Sequence, residues 1–594
     1  MGGSKGLVGL LSFLIFISSA SAFSAERFMA TRANEFALSL YHWNIQYVSG
    51  STRTENGIVI ESFEPILDLY AKHPNWKTTF EMQGYMVEVL AERYPAVLAK
   101  LKTLVDRGQI ELVSCHYSDQ IVLAYPRVDE EKSLAINDEV FKKHDLALSP
   151  VVFLQEDEFG EGVARLMKKH GRTAAVIMHG WDQFRQEGPA PFYSYEGLDV
   201  VMVHGNGESP AWVFVGDAEL AGTGKLNNPY FYHIGWDALF RKSQKSLDRL
   251  ETTMTNWETN HQIATIGEYL STLKAKGATG LAAGPILDKM RSDFTDNVWL
   301  WMGDNRNPFS EDDDKVRSRN YASRNWLLAA ETVVNEVRRR GSEMAADFDA
   351  RIRDLWRLQL MAEVSDSTGL GFPFPIEVKT SLEQSDQVEQ RSQALIDEVK
   401  KLWGSAALRI DTKTGVVTEL PSADVSTNEG KKIERGPVGF HLGGGAHQRV
   451  AWKQLGENLW EVTVDFWPVV PRIPFYNMNI LKVAFERYED KVIYSPALLE
   501  DELKTYAFNQ FTFKDMWLPL SNGLIGLGND FYVIKNTSNA HIAARINKKK
   551  PWISFEVRNP KLRHYQWQFT VFKGSEQEAL DQANRLNVYP TIIR

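Results

Sequence analysis

Gln155-Glu156-Asp157-Glu158 follows the apolar run Val151-Val152-Phe153-Leu154, and Phe159-Gly160 then turns the chain toward a helical pattern over Val163–Gly171. Carboxylates at the end of a buried strand, at a turn into a helix, stand where α/β barrels present catalytic groups. Three acids leaving a strand in succession alternate sides, so Glu156 and Glu158 point one way and Asp157 the other. Two carboxyl groups about 5–5.5 Å apart, one ionised and one protonated, carry out retaining glycoside hydrolysis. Composition alone favours a solvated acidic loop; the rest of the chain argues for chemistry.

The second carboxyl is Asp237, within Phe231–Phe240. Aromatic surroundings would raise its pKa by desolvation, as an acid requires, although Asp237 also suits the N-cap of a helix through Arg241–Leu250. Trp181 and Trp236 offer flat faces for a sugar or for plain packing. Asp304 and Glu208 are further candidate acids, and Asp366 is either a cap or a substrate contact.

Strands and helices alternate around these residues. Glu35–Leu40, Thr78–Phe80, Ile110–Val113, Val151–Leu154 and Ala174–Met178 are strand patterns, each followed by polar or aromatic residues. Between them, Tyr85–Val105 reads as one helix, with Gly108 after it, and Glu130–Lys143 as another. About seven strands precede Leu300, so the expected fold is an incomplete, seven-stranded α/β barrel over residues 23–300. Helices follow over Asn325–Arg340, Phe348–Met361 and Leu382–Trp403, making a helical segment of 301–404, with Glu311–Asp314 as a solvated charge run. From about Leu408 the period becomes two, as in Trp460, Val462, Val464 and Phe466, and residues 405–594 read as an antiparallel β-sandwich.

The chain has 594 residues, 43% hydrophobic and 24% charged, with 17 Trp, 20 Tyr and a net charge of −9. No basic stripe runs along it, which argues against a nucleic-acid partner. Lys5, the apolar Gly6–Ile17 and Ala20-Ser21-Ala22 form a secretory signal pattern over residues 1–22. No later run is long enough to span a bilayer, so a secreted or periplasmic location is expected. Cys115 is the sole cysteine, which rules out an intrachain disulfide; a buried, inert thiol is expected there. Asn536-Thr537-Ser538 is a glycosylation sequon.

Several stretches, in order, resemble family 38 glycoside hydrolases, the α-mannosidase type. Gln155–Gly160 is similar to that family's Q-x-D-x-F-G motif, whose aspartate is the nucleophile. His42-Trp43-Asn44 resembles its H-x-D pair, Gly235–Phe240 its G-D-D-F segment bearing the acid/base, and Glu363–Gly369 its H-H-D-x-x-x-G segment. The resemblance implies a retaining hydrolase of α-linked sugars, with Asp157 as nucleophile and Asp237 as acid/base. His42, Asn44, Glu156, Trp181, Trp236, Asp304 and Asp366 then contact a carbohydrate substrate. Family 57 glycosidases are a close rival: Gly108–Val113 is similar to their G-Q-L-E-I-V, and Phe153–Glu156 to their W-L-P-E, whose glutamate is the nucleophile.

Departures from family 38 bear on its zinc ion. His42 and Asp157 keep two ligand positions, but Asn44 stands for an aspartate and Ser365 for a histidine, and neither suits zinc. No zinc cofactor is therefore expected; calcium is the alternative ion. A non-catalytic carbohydrate-binding protein on a degenerate scaffold is a second reading. A polysaccharide deacetylase is a third, opposed by the lack of an H-x-x-x-H pair among 13 histidines.

Overall fold

Every residue of the first strand, β1 (Phe36–Trp43), is buried, so both its faces are covered, as in a parallel sheet under helices. The computed structural model describes residues 35–45, 52–155, 158–177, 190–203, 210–218, 221–222, 242–282, 313–368, 375–421, 430–469, 480–510, 515–537, 543–547 and 549–594. The expected leader and the candidates Glu156, Asp157, Trp181, Glu208, Trp236, Asp237 and Asp304 lie outside these residues.

The strands that follow are β2 (Thr78–Met82), β3 (Ile110–Val113), β4 (Val151–Phe153), β5 (Ala174–Ile177), β6 (Tyr193–Tyr195), β7 (Leu198–Met202), β8 (Ala211–Asp217), β9 (Gln262–Ile263) and β10 (Leu281–Ala282). They make two sheets. One has the order β3-β2-β1-β8, with β9 also on β1, and all its pairings are parallel. The other has the order β10-β6-β7-β5-β4, with β6 antiparallel to β7. A bridge between Leu112 and Leu148 joins β3 to the approach to β4.

Two expected boundaries move for physical reasons. Tyr85–Val105 is not one helix but two, Gly84–Arg93 and Pro95–Asp106. Tyr94 precedes Pro95 and leaves the helical region, at φ −132° and ψ 51°, because the proline ring crowds the residue before it. The second half of the charge run is likewise corrected, Glu311 and Asp312 lying outside the described residues: Asp313 and Asp314 are buried in the first turn of the helix Asp313–Arg339. There Asp314 meets Arg563 at 3.3 Å, and acidic residues suit a helix N-terminus.

The long helices Asp313–Arg339, Ala345–Ala362 and Pro375–Trp403 follow. Leu327, Val333, Trp356 and Leu395 share one core with Phe80, Met86 and Leu101 of the strand–helix region. No helix among the described residues is long and apolar enough to cross a membrane.

The last part is a large antiparallel sheet. Val462, Val464 and Phe466 alternate with polar residues and pair with Phe569, Trp567 and Tyr565. These six share a core with Leu481, Val483 and Phe485. The helix Glu576–Asn587 opens on a Ser575–Glu578 capping box. The final strand, Thr591–Ile593, pairs with Ala407–Asp411.

Candidate active site

The C-terminal ends of β1, β2, β3 and β8 converge on His42. Parallel register sets His42 directly between Glu81 of β2 and Asp217 of β8. His42 Nδ1 lies 2.5 Å from Glu81 Oε2, and its Nε2 lies 3.8 Å from Asp119, in the loop after β3. Gln83 donates to the same Glu81 oxygen at 3.3 Å. His116, fixed by a hydrogen bond from its Nδ1 to the Ser118 carbonyl, brings Nε2 to 3.9 Å from Glu81. All four residues of the His42–Glu81–His116–Asp119 group are buried.

Asn44 extends this group toward the helical segment. Its amide donates to Asp119 Oδ2 at 3.2 Å and to Asp366 Oδ2 at 2.8 Å. Ser365 Oγ also donates to Asp119, at 3.3 Å, and the Ser365 backbone amide bonds the Asp119 carbonyl. The electrostatics follow from these contacts. Burial pulls the His42 pKa down, but the Asp119 and Glu81 carboxylates outweigh it and hold the imidazole well above its ordinary value. Burial pushes Asp119 up, yet His42, His116 and Ser365 bring it below its usual value. Asp366 is pushed up to about 7, first by desolvation and then by the Asp119 charge. Near neutrality the nest thus holds an imidazolium, an ionised Asp119 and a carboxyl, Asp366, poised to give or keep its proton.

The strand that leads to the predicted nucleophile is tied to the same place. The Phe153 ring lies 5.8 Å from that of His42, and Gln155 Nε2 donates to the Gln120 carbonyl at 3.2 Å. Glu158 accepts from the Leu123 amide at 3.0 Å. Behind this wall sits a layer of buried carboxyls. Gln120 and Gln359 both donate to Glu363 at 2.7 Å, and Arg324 Nε donates to Asp129 at 2.6 Å. Burial, reinforced by Glu363, Glu158 and Asp129, pushes Glu130 well above the usual carboxylate range.

Of the described candidates, His42, Asn44 and Asp366 come together. Glu81 and Asp119 belong with them, although in the sequence they stand out only as polar residues after strands. Their signal is position alone, at the end of β2 and soon after β3. One alternative for Asp237 is removed: the helix Gln244–Asn260 is capped by Ser243, whose Oγ accepts from the Ser246 amide at 3.2 Å. Cys115 is buried, and desolvation raises its thiol well above the ordinary value, as expected of an inert thiol.

Of the four positions that the family 38 resemblance assigns to zinc, His42, Asn44 and Ser365 lie among the described residues and Asp157 does not. Where that site needs an anionic oxygen and an imidazole, this chain has an amide N–H aimed at two carboxylates and a hydroxyl hydrogen-bonded to one of them. Among the described residues, no group of three His, Cys, Asp or Glu side chains is arranged to hold a metal.

No family model matches the chain. An α-amylase of Pyrococcus abyssi is 23% identical over 249 residues, which is 36% of this chain and 36% of that protein. The chain thus spans little more than a third of this curated relative. An α-mannosidase from Enterococcus faecalis V583 superposes with a TM-score of 0.57 at 9% identity, over 94% of this chain and 89% of that one. A family 38 glycosyl hydrolase from Enterococcus faecalis gives 0.55 at 9% identity, over 95% and 89%. At such identities the likeness is one of fold. The mannosidase structures match the family 38 side of the resemblance and the archaeal α-amylase its family 57 side; these relatives and neighbours are glycoside hydrolases.

Proposed function

We propose that the chain is an exported, retaining α-glycoside hydrolase acting on an α-linked oligo- or polysaccharide. Asp157 attacks the anomeric carbon while Asp237 protonates the leaving oxygen; Asp237 then activates the water that releases the sugar. Its architecture in this reading is a leader of residues 1–22, an incomplete seven-stranded barrel to about residue 300, a helical segment to 404 and a β-sandwich beyond. No zinc takes part. Asn44 and Asp366 meet sugar hydroxyls, with Asp119 accepting and protonated Asp366 donating.

The observation that carries this reading is the tether at the root of the 156–158 segment. Phe153 packs on His42, and Gln155 bonds the residue after Asp119, so the stretch leading to Asp157 starts beside the polar nest. A screen of aryl α-glycosides and α-linked oligosaccharides, with product anomers followed by NMR, tests it. Release of the α-anomer first supports retention; release of the β-anomer first overturns it. The nest alone would also serve a carbohydrate-binding protein without turnover, and sugar binding with no hydrolysis in the same screen would establish that second reading.

A further inference from the structure

The outer face of the C-terminal sheet carries a cavity. The strands Ala543–Asn547, Trp552–Arg558 and Ile480–Glu486 are neighbours there. Ile546, Ile553, Phe555, Val557, Leu481 and Val483 point into the core, so residues alternating with most of them face outward. Register places Ser554 opposite Arg545 and Glu556 opposite Lys482. Ser554 is the short side chain between longer ones, and a cavity of about 100 Å³ opens over it. Lys482, Arg545, Asn547, Lys550, Trp552 and Glu556 line it.

Its charge arrangement is built in advance. Glu556 is just 4% exposed although it lies on the outer face. Arg545 Nη1 lies 3.0 Å and Lys482 Nζ 3.4 Å from its carboxylate, and Ser554 Oγ donates to it at 2.9 Å. One carboxylate therefore holds two long cations in place, which lowers the entropy cost of presenting them to a ligand. With exposed Lys550, the lining carries more positive than negative charge, in a chain whose net charge is −9. Half-buried Trp552 adds a flat apolar face at the edge, suited to the C–H face of a pyranose.

We propose that this cavity binds an acidic glycan, whose ring stacks on Trp552 while a carboxylate or sulfate ester meets Arg545 and Lys550. A nucleic-acid strand fits less well: exposed Glu486 lies opposite Trp552 on the next strand and would repel a continuous phosphate backbone, whereas a glycan spaces its charges.

The test is affinity electrophoresis of the full-length chain in polygalacturonate, in dextran sulfate, in neutral amylose and in single-stranded DNA. Retardation by at least one acidic glycan, weakened about tenfold in Kd by Lys550→Glu and by Trp552→Ala, is the expected result. Lys550→Glu changes an exposed side chain, so it remains decisive if Trp552→Ala fails to fold. No retardation by either acidic glycan, or retardation unchanged in Lys550→Glu, overturns the proposal. Retardation by DNA as strong as by the acidic glycans also overturns it, in favour of a general polyanion surface, and so does equal retardation by amylose, in favour of a site that does not read charge.

Discussion

The Asn44 amide nitrogen stands 2.8 Å from Asp366 Oδ2, joining two residues that are 322 positions apart in the chain. The same nitrogen reaches Asp119, so one neutral amide holds two carboxyls that would otherwise repel each other. This is where the strand–helix region and the helical segment meet, and the resemblance to family 38 would put a metal ligand at the Asn44 position.

Metal content follows from that substitution. The wild-type protein should carry no stoichiometric zinc, and chelators should leave its activity intact. The double variant Asn44→Asp with Ser365→His restores an anionic oxygen and an imidazole and should take up zinc. Elemental analysis of both proteins decides this; one zinc per wild-type chain, lost together with activity in chelator, would refute it.

Asp157→Asn should abolish turnover while folding and sugar binding persist, because size is kept and the attacking charge is removed. Asp237→Asn should slow substrates with poor leaving groups most, since activated aryl glycosides need little protonation. Steady-state kinetics on both substrate types separate the two roles. Near-normal activity in Asp157→Asn with a dead Glu156→Gln would mean that the family 57 register is right.

The raised pKa of His42 makes a stability prediction. The unfolded histidine titrates near 6.5, and the folded one well above it. The stabilisation from the Glu81–His42–Asp119 contacts is therefore complete below about 6.5 and is lost as pH climbs through the folded value. His42→Gln should cost about 3–5 kcal/mol in acid, the usual cost of breaking a buried ion pair, and visibly less at alkaline pH. Urea unfolding of wild type and variant at pH 6 and pH 9.5 measures the gap; an equal gap at both would show that His42 is not charged.

Glu130 has the opposite sign. Neither of its carboxyl oxygens has a hydrogen-bond partner among the described residues, and burial lifts its folded pKa well above the ordinary 4.5. The unfolded state gives up this proton first, so the wild type loses stability as pH rises from about 4.5 toward the folded pKa, at about 1.4 kcal/mol for each pH unit climbed in that interval. Glu130→Gln should be the more stable protein at pH 8, with the difference vanishing near pH 4. Thermal or urea unfolding across that range reads it directly.

Local pattern carried much of the fold, and β1 shows both its reach and its end. The apolar run from Phe36 was legible as a strand; that it continues through His42 was not, because a histidine looks like the start of a loop until Glu81 is seen beside it. The nest was half visible for the same reason. His42, Asn44 and Asp366 stood out by resemblance, whereas Glu81 and Asp119 gain meaning from partners 39 and 75 or more positions away. Asp313 and Asp314 misled in the other direction, since charge suggests solvent and their burial depends on a helix start and on Arg563.

Gly162 is the second residue of the helix Glu161–Lys169 that follows the acidic stretch, and a Cβ there would come within 2.2 Å of the Ala497 carbonyl oxygen. The backbone after Glu158 thus presses directly on the antiparallel region, at a place where Leu498 holds a left-handed φ of 63°. Swapping the C-terminal part for another would leave the floor beneath Glu161 and Gly162 unmatched. A variant that enlarges one side of that contact needs a compensating change on the other.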